Sequence, residues 1–191
     1  MIPDSNFRYG SLSQSSPGTA RQTDGHPRHL FLTGPKQIGK STVLRALLEG
    51  RELALGGFLT VRIFIPGGAS IHMIRPGEHD FTLENRVFCR LKGVLHLDSH
   101  DFDRIGCALL ADRNRYDLLL MDELGPTEAQ ADAFRQAVLD TLDGNVPVYG
   151  ILQEAESAFL SEIAAREDVT VITVTEGNRD SLPEQLRREG W

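Results

Sequence analysis

At 191 residues, with 40% hydrophobic and 25% charged positions, the chain has the size and make-up of one globular domain plus a short appendage. A net charge of −7 argues against a nucleic-acid partner, which would want a basic face. No apolar run approaches the roughly 18 residues that a membrane span requires, so no membrane contact is expected. The polar start around Asp4, Ser5, Asn6 and Arg8 carries no apolar signal segment, which makes the cytoplasm the expected location. Cys89 and Cys107 lie far apart without metal-ligand spacing and read as reduced thiols.

Residues 1–28 are rich in Ser, Gln, Gly, Pro and Thr and lack apolar periodicity, the composition of a flexible tail. A single domain is expected over residues 29–191. It begins with Leu30-Phe31-Leu32-Thr33, a short continuous apolar run of the kind found in strands buried on both faces. A Gly-rich turn follows, and residues 41–49 then set Val43, Leu44, Leu47 and Leu48 along one helical face. Residues 58–65 read as a strand, Pro66-Gly67-Gly68 as a turn, and residues 70–74 as the returning arm of a hairpin. Residues 76–93 give little periodic signal beyond strand character near Arg86–Leu91.

Farther on, Val94–Leu97 is another short apolar run, and Ser99 or Asp101 could cap a helix carrying Ile105, Ala108 and Leu109. Residues 117–121 form the cleanest buried strand of the chain, and a helix is expected over 128–142. Strands over 146–152 and 169–174 alternate with helices over 158–166 and 182–188. Such alternation implies an α/β fold, a mostly parallel sheet covered by helices on both sides, with an antiparallel hairpin inserted early.

The turn after the first strand, Gly34-Pro35-Lys36-Gln37-Ile38-Gly39-Lys40-Ser41, satisfies G-x-x-x-x-G-K-[ST] at every fixed position, and Thr42 completes the loop. Glycines let successive backbone N–H groups turn inward to make an anion nest, and the following helix adds its positive end. Lys40 can reach β- and γ-phosphates, while Ser41 offers a hydroxyl to Mg²⁺, which prefers oxygen ligands. The strand Leu118-Leu119-Leu120-Met121 ends in Asp122-Glu123. Ligands of open parallel sheets bind beyond the carboxyl ends of strands, which aims both acids at the phosphate loop. Asp122 is the expected Mg²⁺ partner beside Ser41, and Glu123 the group that orients or deprotonates the attacking water.

These stretches resemble the small P-loop nucleoside-triphosphatases of the thermophile type, whose human member is called cancer-related nucleoside-triphosphatase. The resemblance is carried by residues 31–42, by Gly56-Gly57-Phe58-Leu59-Thr60, by Met121-Asp122-Glu123-Leu124-Gly125-Pro126 and by Ala133-Phe134-Arg135-Gln136-Ala137. It continues through Val174-Thr175-Glu176-Gly177-Asn178-Arg179-Asp180-Ser181-Leu182-Pro183. It implies a P-loop NTPase fold and Mg²⁺-dependent hydrolysis of several nucleoside 5'-triphosphates, ATP and GTP among them, to diphosphate and phosphate with little base selectivity. The chain departs from the family after the strand over 146–152, where basic residues are usual and Gln153-Glu154-Ala155-Glu156 stand instead. A cation there could neutralise charge on the transferred phosphoryl group. This departure keeps open a nucleotide-dependent binding module with negligible turnover. A nucleotide or nucleoside kinase built on the same loop is the other alternative, and the acidic stretch argues against the arginine-bearing lid that such an enzyme needs.

Other constellations read as structure. His96, Asp98, His100, Asp101 and Asp103 have the look of a metal cluster but bridge a strand and a helix start, where Asp and Ser are ordinary caps. Arg135, Arg166 and Arg179 read as solvated side chains, and Arg62 is the better candidate to face the cleft.

Overall fold

A computed structural model describes residues 27–191, so the expected tail lies almost entirely outside the described residues. Eight strands form a single sheet in the order β5-β4-β3-β2-β6-β7-β1-β8. They are β1 (His29–Thr33), β2 (Leu55–Ile65), β3 (Gly68–Ile74), β4 (Arg86–Leu91), β5 (Val94–Leu97), β6 (Leu118–Leu124), β7 (Val148–Leu152) and β8 (Val169–Thr173). β2, β6, β7, β1 and β8 run parallel, whereas β3, β4 and β5 alternate in direction to make an antiparallel wing.

That wing exceeds the single hairpin expected. β4 and β5 fall where strand character and a short apolar run were read, but they extend the hairpin into a wing, and Val94 and Leu95 of β5 are exposed on the sheet's edge rather than buried on both faces. The central strands behave as their apolar runs foretold. Leu30, Phe31, Leu32, Leu119 and Met121 lose all contact with solvent, because helices cover both faces of the parallel part.

One face packs on α2 (Ser99–Leu110), α3 (Asp132–Leu142) and α4 (Ala158–Ala164), where Phe102, Phe134 and Phe159 are buried with Phe31, Phe58 and Met121. The other packs on α1 (Lys40–Leu48) and α5 (Leu182–Arg188), where Leu44, Leu47, Leu186 and Trp191 meet Leu30, Leu32, Leu120 and Ile151. The helix expected over 128–142 is in fact two pieces, a 3-10 turn at Pro126–Gln130 and α3 from Asp132, with Ala131 non-helical at the joint. This break leaves Glu128 free to turn back towards the end of β6, where its Oε2 accepts the Gly125 N–H at 3.0 Å.

Candidate functional site

The phosphate loop lies between β1 and α1, at the carboxyl edge of the parallel strands. Gly34 and Gly39 adopt φ of 129° and 109°, which side chains with a Cβ resist. Gly34 has a second reason to be glycine, since a Cβ there would stand 2.5 Å from the Val174 carbonyl oxygen. Gln37 also takes a positive φ, 65°, for which its residue type gives no warning. Lys36 and Gln37 are exposed on the loop, whereas Lys40 is buried at the first turn of α1. The Lys40 ammonium donates to the Gly34 and Pro35 carbonyls at 2.9 and 3.1 Å, which keeps it at the mouth of its own loop.

The carboxylates arrive from β6. A regular strand would send neighbouring side chains to opposite faces. Here Met121 pairs with Gly150 and Leu124 with Leu152, so β6 carries one residue more than β7 across this step. The resulting bulge aims Asp122 and Glu123 at the same loop. Ser41 Oγ donates to Asp122 Oδ1 at 3.4 Å, and Lys40 Nζ lies 3.7 Å from Glu123 Oε1. The Glu123 N–H donates to Thr60 Oγ on β2 at 3.1 Å, and its Oε2 accepts the Gln153 amide at 3.1 Å.

Burial pushes the Asp122 carboxyl up to about 7, and the charge of Glu123 adds to that effect against the pull of Ser41, Arg45 and Lys40. Such a group gains from a cation, and the convergence of a hydroxyl with a carboxylate oxygen is a donor set suited to a hard divalent ion. Burial likewise raises Glu128 to about 7, partly opposed by backbone hydrogen bonds, with Glu123 adding to the rise.

Gly34, Pro35, Lys36, Gln37, Ile38 and Gly39 form the turn from β1, and Lys40, Ser41 and Thr42 open α1; of these, Lys40 lies against Glu123 and Ser41 against Asp122. The look-alikes part company with the site. Asp98 Oδ1 accepts the His100 N–H at 3.0 Å and caps α2, and among the described residues no group of His, Cys, Asp and Glu could hold a metal ion by itself. Arg166 pairs with Asp168 and Asp143 at the opposite, amino edge of the sheet. Arg135 lies over the Phe159 ring, 5.4 Å from its centroid. Arg179 lies 3.7 Å from Asp180, and Arg62 is exposed on β2 two residues beyond Thr60. Sequence reasoning missed Thr60 and Gln153, because only the alignment of β2, β6 and β7 reveals their proximity to Glu123.

Comparison with known proteins identifies the family. The sequence model of the family described as NTPase matches residues 29–187. The chain is 33% identical over 176 residues to the nucleoside-triphosphatase THEP1 of Thermofilum pendens, covering 85% of this chain and 94% of the relative. It is 31% identical over 164 residues to the THEP1 of Methanosarcina acetivorans, covering 82% and 93%. The crystal structure of THEP1 from Aquifex aeolicus superposes with a TM-score of 0.62 at 21% identity, covering 83% of this chain and 96% of that one, a likeness of fold. With its phosphate loop, paired carboxylates and sheet order in place, the chain belongs to the NTPase family of P-loop nucleoside-triphosphatases.

Proposed function

We propose that the chain hydrolyses nucleoside 5'-triphosphates to diphosphate and phosphate with broad tolerance of the base, dependent on Mg²⁺, in the cytoplasm. The observation that carries the reading is the meeting of Lys40 with Glu123, and of Ser41 with Asp122, at the mouth of a complete phosphate loop. Backbone amides of residues 35–40 cradle the phosphates, and the Lys40 ammonium exchanges its carbonyl partners for phosphate oxygens. Ser41 and Asp122 are the residues that would hold Mg²⁺, whose role when bound is to neutralise charge on the β- and γ-oxygens. Glu123 orients a water in line with the γ-phosphorus and takes up its proton. Most of the catalysis is positioning and charge stabilisation, which a rigid loop and a bulged strand provide. The two cysteines, both free, suit a reducing compartment.

The test is Mg²⁺-dependent phosphate release from ATP, GTP, CTP and UTP by the native chain, Lys40→Ala and Glu123→Gln. Release from all four nucleotides is expected, falling by about a hundredfold or more in either variant. Nucleotide binding without release above the Lys40→Ala background would make the chain a switch. Phosphate passed to an added nucleoside or nucleotide would make it a kinase.

A further inference from the structure

The site described above leaves Glu123 with a task and few means of holding still. Its carboxylate faces Lys40 Nζ at 3.7 Å, and a glutamate on a mobile side chain would be drawn into a closer ion pair. That collapse would occupy both the oxygen needed for water and the ammonium needed for phosphate. A second contact opposes it. The Gln153 amide, at the end of β7, donates from Nε2 to Glu123 Oε2 at 3.1 Å.

The amide is itself held. Its backbone N–H donates to the Leu124 carbonyl at 2.8 Å, which aligns the end of β7 with β6 beyond the bulge. Its side chain packs directly on Gly125. A Cβ built there would lie 2.6 Å from the Gln153 amide carbon, 2.7 Å from Oε1 and 2.8 Å from Nε2. Gly125 has φ of −144°, extended backbone open to any residue, so space and not conformation calls for glycine. Gly125 is pinned in turn by the hydrogen bond from its N–H to the buried carboxyl of Glu128.

The geometry points to Gln153 as a positioning residue of the hydrolase, holding Glu123 off Lys40, with Gly125 and Glu128 as its backing. This rests on the hydrolytic reading of the site. It also gives a use to the first residue of the stretch 153–156, which otherwise departs from the family's basic pattern. Gln153 serves through its neutral N–H donor, and the acidic side chains after it, Glu154 and Glu156, point to solvent.

The experiment is steady-state hydrolysis of ATP by the native chain, Gln153→Met, Gln153→His, Gly125→Ala and the double variant Gly125→Ala/Gln153→Met, with thermal unfolding of each. Methionine keeps the length and removes the donor, histidine keeps an N–H of similar reach, and Gly125→Ala displaces the amide without deleting any polar group. Gln153→Met and Gly125→Ala are each expected to lower kcat by about tenfold to a hundredfold. KM should stay within about twofold, since phosphate binding by the loop is untouched. Gln153→His should recover part of the loss. The double variant should fall little below either single one, because both changes disable the same contact. Native kcat in Gln153→Met, or losses that multiply in the double variant, would overturn the inference while leaving the hydrolase reading intact. Failure of the native chain to release phosphate at all would overturn both.

Discussion

At the scale of single residues, the phosphate loop was legible because its chemistry restricts residue type at fixed spacing. Gly34 shows both the reach and the limit of that legibility. Its positive φ follows from the motif, but the approach to the Val174 carbonyl follows from the pairing of β1 with β8, which no local pattern encodes. Gly34→Ala is therefore expected to lose more than an inverted backbone preference, on the order of 1–3 kcal/mol. The Cβ would also push the loop off Val174 and spoil the nest. Titration with nucleotide should show affinity reduced by at least tenfold, with a lower unfolding temperature even when no nucleotide is present. Native affinity in this variant would mean that the loop has room to shift. Thr60 and Gln153 stand at the other extreme. Thr60 closes a stretch that carries the family resemblance and Gln153 opens the one that departs from it, but neither pattern assigns a role, and they reach Glu123 only because β2 and β7 flank β6.

At the scale of elements, runs buried on both faces were read firmly, while half-buried ones were located along the chain without their place in the sheet. β1, β6 and β7 are continuous apolar segments that no other element type explains at their length. β4 sets Val87, Phe88 and Cys89 in a row between Arg86 and Arg90, which hides in the sequence the two-residue period that the strand keeps, with Val87 and Cys89 buried. The segment around α2 illustrates how a metal-like pattern resolves into caps and ties. Asp98 satisfies the His100 N–H, Asp101 pairs with Arg104 at 2.8 Å, and Asp103 accepts the Phe134 N–H at 2.8 Å, joining α2 to the start of α3. Asp98→Ala should accordingly cost about 1 kcal/mol of stability, the ordinary value of a lost N-cap, as read by urea unfolding. Added zinc should leave the native unfolding midpoint where it was. A zinc-dependent rise abolished by Asp98→Ala would restore the metal reading.

At the scale of the whole molecule, the sheet separates a reactive edge from a structural one. The carboxyl ends of the strands carry Lys40, Asp122 and Glu123, while the amino ends are stitched by His29. This fully buried imidazole accepts the Val148 N–H at Nδ1, 3.1 Å away, and Nε2 lies 3.0 Å from the Leu142 carbonyl, where it must be the donor. One neutral tautomer thus ties β1 to β7 and to the end of α3. Burial outweighs the attraction of Asp168, 3.7 Å away, and lowers the His29 pKa to about 4. Between about pH 6.5 and 4 the unfolded chain therefore binds a proton that the folded chain refuses. Stability from this group is whole above pH 6.5 and lost as pH falls towards 4, by about 3 kcal/mol in all. Asp122 and Glu128, both raised to about 7, act oppositely, since the fold holds their protons more tightly than the unfolded chain does and gains as pH falls from 7 towards 4. Native unfolding alone would mix the two trends. The difference in unfolding free energy between the native chain and His29→Gln removes the shared carboxylate part, because those groups lie at the far edge of the sheet. That difference should shrink by about 3 kcal/mol from pH 7 to pH 4 in urea titrations. A difference constant with pH would mean that the imidazole keeps its ordinary pKa, and that the stitch at the amino edge tolerates charge.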